Sequence, residues 1–511
     1  MAFNLFNSFQ ISKPKKNVFD LTHDVKMSFN MGELVPCLAM ECLPGDKFNI
    51  GADSLLRFAP MVSPVMHRYD MTIHYFFVPN RIIWPNWEKF ITMDNNGAEL
   101  PAFPTLTLGQ QQVLQGTLAN YLGLPPLDTD TTMTVSALPF AAYQKIFNDY
   151  YRDQNLQTDF AQQIELNDGE QTGDFRIALL QELHKRAWEH DYFTAALPFA
   201  QKGDPVSIPL IAPQSDIYVK AKGVTFAEMD ATTEPLGIGQ VNVAVMDTTP
   251  PSPGEEGALF IDGNDIQSQA TTITDLRRAE KLQQFNEKKA RAGSRYFEQL
   301  LAFFGVKSPD SRLQRPEYIG GTKSPVQISE VLNTTGTEDL EQGNMSGHAL
   351  TVNAGGSSSY YCQEHGYIIG IVSVRPKPAY FQGIPKHFTK FDPYEYGWPE
   401  FAHIGEQEVL NKELYVTGSP TDEDVFGYVP RYAEYKFLAS RVAGDFQTTL
   451  ETWQHARKFS ATPTLSPDFI QCNPDKRIFA VEDPEVQSLY CHVLNKIRAV
   501  RAMPRFGNPG I

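Results

Sequence analysis

A metal site, a phosphate-cradling loop, an activated serine and a glycosidase carboxylate pair are the kinds of chemistry that the residue types of this chain could support, and the spacing picks out none of them. His184 and His190 are six residues apart, which on a helix sets them about 240° round from one another, so they form no two-ligand face. Both read as structural or surface histidines. The stretch GIGQVN at Gly237 lacks the third glycine of a dinucleotide loop, and no G-x-x-x-x-G-K-[ST] run occurs. GNMSGH at Gly343 has the wrong spacing for a nucleophile elbow. Asp128 with Asp130, and Asp262 with Asp265, are carboxylate-rich turns that do not follow an EF-hand loop. With 60 Asp and Glu in the chain, a spacing that mimics a glycosidase pair arises by chance and selects no residue. The expectation is no catalytic residue, no metal and no cofactor.

Chemistry of another sort is concentrated between Gly427 and Phe459, GYVPRYAEYKFLASRVAGDFQTTLETWQHARKF. Tyr428, Tyr432, Tyr435, Phe437, Phe446 and Phe459 can bury large areas, while Arg431, Lys436, Arg441, Arg457 and Lys458 suit carbonyls, carboxylates or phosphates. Rings and guanidinium groups interleaved with turn formers suit a surface that holds other macromolecules. The alternative is an ordinary loop packed on its own domain.

The elements that must position these residues are mainly strands. Asp70 to Val78 alternates, Met71, Ile73, Tyr75 and Phe77 against Thr72, His74 and Phe76, and stops at Pro79 and Asn80. Gly366 to Arg375 sets Ile369 and Ile371 against Ile368, Val372 and Val374, apolar on both faces, as for a strand inside a sandwich. Shorter candidates are Val25 to Phe29, Cys37 to Cys42, Val206 to Ile211 and Leu414 to Thr417. A helix is predicted from Pro139 to Tyr151, with Phe140, Tyr143, Phe147 and Tyr150 at spacings of three and four. Another is predicted after Thr274 as N-cap, carrying Leu276, Ala279, Leu282 and Phe285, and split near Gly293 before Tyr296, Leu300 and Phe304 resume the pattern. Helices interrupt the strands without alternating with them, which disfavours a parallel β/α sheet.

Hydrophobic residues make up 42% of the chain, enough for a large core, while 35 Gly and 36 Pro imply many turns. Net charge is −16, yet the first 16 residues hold +3 and residues 495–511 hold +4, neither with an acid. A shell around DNA could use basic ends turned inward and an acidic exterior, although basic termini can also be simply solvated. Cys37, Cys42, Cys362, Cys472 and Cys491 are odd in number and include no C-x-x-C pair, as expected of buried free thiols in a reducing cytoplasm. The N-terminus has the wrong order of charge and apolar residues for a secretory signal, and no stretch approaches a membrane span. Ala212 to Thr272, acidic and turn-rich with few large apolar residues, should project into solvent.

Ordered motifs along most of the chain resemble the major capsid proteins of small single-stranded DNA phages, in particular the gokushovirus branch of the microvirus family. They are FDLTHDVKMSFNMGELVP at Phe19, LPGDKF at Leu43, PVMHRYDMTIHYFFVPNRIIWPNWEKF at Pro64 and HDYFTAALPFAQKGDPVSIPL at His190. ARAGSRYFEQLLAFFGVKSPDSRLQRPEYIGG at Ala290, PRYAEYKF at Pro430 and RAMPRFGNPG at Arg501 continue the series. The resemblance implies a mainly β fold, an eight-stranded antiparallel jelly-roll sandwich with long, partly helical loop insertions. It implies no enzymatic activity and a T=1-like icosahedral shell of roughly sixty copies closed by head-to-tail contacts around circular single-stranded DNA. Its further partners would be scaffolding proteins, small DNA-binding virion proteins and a host surface receptor, with assembly in the host cytoplasm and no membrane insertion. Residues 1–18 would be a basic arm, 19–494 the jelly-roll domain with a protrusion at about 212–272, and 495–511 a basic tail.

On that reading Lys13, Lys15, Lys16, Lys496, Arg498, Arg501 and Arg505 line the inner surface, with Phe506 free to stack on a base. Subunit contacts would centre on Trp84, Trp87, Tyr192, Phe193, Tyr318, Arg431, Tyr432 and Tyr435. For the two tryptophans the alternative is intrachain core. Rival functions are a carbohydrate-binding or glycan-degrading β-sandwich and a minor virion spike or receptor-binding protein.

Overall fold

A computed structural model describes residues 15–93, 99–203, 206, 273–293, 295–332 and 345–506. The chain divides into two compact units, residues 1–200 with 290–511, and residues 201–289. Within the larger unit the strands are β1 (Asn17–Asp20), β2 (His23–Phe29), β3 (Val35–Cys42), β4 (Lys47–Phe58), β5 (Tyr69–Pro79), β6 (Thr105–Gly109) and β7 (Thr132–Ser136). They continue as β8 (Glu317–Val326), β9 (Ile328–Leu332), β10 (Met345–Tyr361), β11 (Gly366–Pro376), β12 (Glu406–Leu410), β13 (Val425–Pro430) and β14 (Leu489–Arg501).

Two antiparallel sheets carry the architecture. One runs β1-β14-β4-β10-β9, with β2 also on β14, and the other runs β3-β11-β5-β8. Alternation decides what lies between them. Met71, Ile73, Tyr75 and Phe77 of β5 and Ile368, Val372 and Val374 of β11 meet Phe48, Ile50 and Leu56 of β4 and Val493 and Ile497 of β14 in one buried cluster. The opposite parity of the same two strands, Phe76, Val78, Ile369 and Ile371, packs outward against a second cluster built by Trp84, Leu138, Phe140, Tyr143 and Phe147. A sheet buried on both faces is what the doubly apolar pattern of Gly366 to Arg375 predicts. Each fully buried Ile or Val contributes about 1.5–3 kcal/mol, so those five residues of β11 supply on the order of 10 kcal/mol.

The helix expected over Pro139 to Tyr151 is present as Leu138–Ile146, continued by a wider π-turn at Phe147–Tyr151, with Pro139 in the first turn. Thr274 lies within the helix described over Ile273–Ala292 and is not its cap. Gly293, at φ +98°, ends it, and a separate helix follows at Tyr296–Phe304. The strand expected at Leu414 to Thr417 does not form. Asn411–Leu414 is a helical turn whose Glu413 Oε1 accepts the Leu410 N–H at 3.1 Å, and the nearby pairing belongs to β12 with β13. Val206 to Ile211 falls outside the described residues apart from Val206, and so does the acidic stretch 212–272.

Two segment boundaries also move. The limit between residues 18 and 19 falls inside β1, and that between 494 and 495 falls inside β14, a strand flanked by β1, β2 and β4. Residues 495–501 are therefore part of the sandwich. Among the described residues no helix is long and apolar enough to cross a membrane.

Candidate nucleic-acid interface

β14 reads LYCHVLNKIRAVR, and its period of two sorts the side chains cleanly. Leu489, Cys491, Val493, Ile497 and Ala499 enter the core, whereas Tyr490, Lys496 and Arg498 are exposed on the other side. Residues directly opposite in an antiparallel pair share a face. Register therefore adds Arg57 beside Tyr490, Lys26 beside His492, Asn49 beside Arg498 and Lys47 beside Val500. Lys26, Lys47 and Arg57 are exposed. Sequence reasoning missed all three, since only the pairing register brings them to this face.

The sequence-derived cations differ in how free they are. Lys15, Arg498 and Arg505 are exposed and, among the described residues, in no recorded ion pair. Lys16 donates to the Gly45 carbonyl and sits 5.6 Å from the Tyr361 ring centre. Lys496 is paired with Asp53 across the sheet. Arg501 is tied down, with Nε 2.9 Å from Asp46 Oδ2, Nη2 donating to Glu41 O at 2.8 Å and its plane over Phe48. It ties the end of β14 to β3 and to the turn before β4, and has little left to offer phosphate. Phe506 is exposed at the end of the described chain, and Lys13 lies outside the described residues.

The ring-bearing candidates separate by burial. Trp84 is fully buried, its Nε1 donating to Asp168 Oδ1 at 2.8 Å, and Trp87 packs beside it, so both serve the chain's own core. Phe193 is buried under the β12–β13 hairpin with Tyr380 and Phe426, while half-buried Tyr192 donates to Glu413 Oε2 at 2.9 Å. Tyr432 is buried, and Arg431 lies over its ring, 4.9 Å from its centre. Tyr318 and Tyr435 stand exposed.

Among the described residues, those weighed for catalysis do not come together. His184 stacks on Phe147 at 3.7 Å and burial lowers its pKa to about 3, so it is a neutral core residue, while His190 is exposed. Asp128 and Asp130 lie in a solvated turn, Asp130 at φ 63°. Gly237 to Asn242, Asp262 and Asp265 are outside the described residues, as are Gly343 and Asn344. All five cysteines are buried free thiols. Burial pushes Cys472 and Cys491 up to about 12, far from the thiolate that a nucleophile needs. Among the described residues no His, Cys, Asp and Glu cluster could hold a metal ion.

A sandwich whose outer sheet face gathers five cations among the three carboxylates Asp20, Asp24 and Asp53, and whose loops display rings, has the character of a structural protein that works by contact with other macromolecules. Comparison with known proteins narrows the class. The model of the family described as capsid protein (F protein) matches residues 7–511. Capsid protein VP1 of Chlamydia phage 1 is 32% identical over 587 aligned residues, covering 99% of this chain and 98% of that protein. Capsid protein VP1 of Bdellovibrio phage phiMH2K is 33% identical, covering 97% and 95%, and that of Spiroplasma virus 4 is 29% identical, covering 100% and 97%. The chain belongs to the capsid protein (F protein) family of microvirus-type phages. It is a structural protein of the virion and not an enzyme, and membership implies self-association into a multi-copy shell.

Proposed function

We propose that about sixty copies of this chain close by rotation into a T=1-like icosahedral shell around circular single-stranded DNA, each presenting the outer face of the β14 sheet to the genome. The carrying observation is the register of β14, which gathers Lys26, Lys47, Arg57, Lys496 and Arg498 beside Tyr490 on one sheet face. Cations there neutralise phosphate without reading sequence, and the exposed rings of Tyr490 and Phe506 offer stacking planes for bases. Lys15, Lys16 and Arg505 extend this set at the chain ends.

The sandwich itself supports a jelly roll of eight principal strands. β2, β3, β4 and β5 alternate between the sheets, β8 stays in the sheet of β5, and β10, β11 and β14 alternate again. The first and last principal strands, β2 and β14, lie side by side. On this reading residues 212–272 form a protrusion that meets a host surface receptor. Scaffolding proteins and small DNA-binding virion proteins assist assembly in the host cytoplasm.

Replacing Lys47, Arg57, Lys496 and Arg498 together by Gln tests the DNA face. Each phosphate contact contributes about 0.7 to the logarithmic salt dependence of single-strand binding, so the slope should fall by about 2–3. Lys496 contributes less than the others because Asp53 already pairs with it. Binding of single-stranded DNA to dissociated subunits with an unchanged salt slope, and unchanged DNA content in particles, would reject this face.

A further inference from the structure

A set of exposed apolar side chains in the larger unit is carried on and beside the turns Lys386–Phe388, Pro393–Glu395, Pro399–Phe401 and Ala433–Tyr435. Phe391 is 87% exposed, Tyr394 70% and Leu438 84%, and Phe388, Trp398 and Tyr435 stand out beside them. Soluble chains rarely leave such a set uncovered.

These rings do not hang on slack loops. Lys390 Nζ lies 2.6 Å from Glu434 Oε1 and 3.1 Å from Tyr435 Oη, joining the two segments through a largely buried ion pair. Tyr435 Oη also accepts the Gly397 N–H at 3.1 Å. Tyr432 Oη accepts the Trp398 N–H and donates to Tyr396 O, both at 3.2 Å, from a backbone held at φ 60°. Trp398 Nε1 donates to Pro393 O at 2.9 Å. The polar tips are spent on fixing the turns, and the apolar faces are left outside. Rings ordered in advance lose little entropy when a partner covers them.

We infer that this surface is a contact between copies of the chain, a deepening that rests on the capsid reading. Six side chains at these exposures offer about 800 Å², close to what one partner contributes to a stable specific interface. Asp392, Glu395 and Glu400 share the rim of the patch with Lys386 and Lys436, and a polar rim of both signs around apolar rings can meet its own kind, as a second copy of the same chain would require. Of the ring-bearing residues weighed from sequence, Tyr435 belongs to it directly, and Tyr432 with Arg431 supports it from behind.

The test is Phe391→Ser with Leu438→Ser in the full chain, expressed together with the phage's other gene products so that any assembly helper is present. Both side chains are exposed, so the melting curve of the subunit should stay within a degree or two of the parent's, about what surface changes allow. Sedimentation and electron microscopy should show subunits or small oligomers where the parent gives closed shells, with a loss of shells of tenfold or more. Shells at parental yield would overturn the inference and leave the capsid reading standing, and so would normal shells that no longer attach to host cells. If the parent itself gave no shells under these conditions, the capsid reading would fail first.

Discussion

Acid should weaken the subunit through His184, and the direction follows from where that imidazole sits. Gln144 Nε2 donates to Glu182 O at 2.9 Å and Leu180 O at 3.4 Å, so its Oε1 faces His184 Nε2 and can only accept from it. Stacked on Phe147 and sealed from water, the ring is held neutral, with its pKa lowered to about 3 by burial. Glu182 Oε1 lies 3.5 Å from Nδ1, but that carboxylate is mostly in solvent and offsets little of the desolvation. An unfolded chain takes up the proton near pH ~6.5, whereas the folded chain resists until about 3, so stability is complete above the first value and drains as pH falls toward the second. Each pH unit in that window costs about 1.4 kcal/mol, which gives about 2 kcal/mol lost at about pH 5. His184→Phe keeps the stack and removes the proton site. It costs about 1–3 kcal/mol near neutrality by leaving Gln144 Oε1 without its donor. Urea midpoints of unassembled subunits, followed by tryptophan fluorescence at about pH 7 and about pH 5, should move apart by about 2 kcal/mol less in the variant than in the parent. Equal pH responses in the two proteins would refute the reasoning, because His67 and His74, lowered by burial to about 4, and the carboxylates are common to both.

Two packing predictions follow from the same structure. Lys390→Met should cost about 3 kcal/mol by stranding the Glu434 carboxylate, and adding Glu434→Gln should restore most of it, as thermal melts of the single and double variants would reveal. Gly32→Ala should cost about 3 kcal/mol or more, since its Cβ would overlap the Cys472 carbonyl and its φ is +84°, and the readout is soluble yield with the urea midpoint.

Legibility varied with how local the signal was. β5 and β11 were readable to within one residue at each end, because period-two alternation beside prolines leaves no competing pattern, and the facing of every apolar side chain named on them agrees with the two cores. The helix at Leu138–Ile146 was readable from apolar spacings of three and four behind a proline in the first turn. Local hydrogen bonds overrode the apolar run at Leu414, where Glu413 turns the chain back on Leu410. β10 was hidden by its own composition, since HALTVNAGGSSSYY reads as a loop and becomes a strand only because β4 pairs along it, with a register shift between Ala354 and Ser357. Trp84 and Trp87 could have been surface or core on sequence alone. The segments that cover them, Phe90, Phe103 and the helix at Leu138, are set by tertiary packing.

The treatment of residues 495–511 as a tail shows how composition can obscure a strand. Lys496, Arg498 and Arg501 stand out as charge, while Val493, Ile497 and Ala499 between them carry the alternation that makes β14. The exposed cations Lys496 and Arg498 and the buried apolar residues lie on opposite faces of this one strand. Because β14 is paired with β4 along twelve positions and with β2 and β1 on its other edge, removing it would take away the sandwich along with the charge. Only substitutions at the outward positions separate the two roles. That coupling also explains why Arg501 is spent on Asp46 and Glu41. A guanidinium that ties the end of the strand to β3 and the turn before β4 is no longer free to hold phosphate.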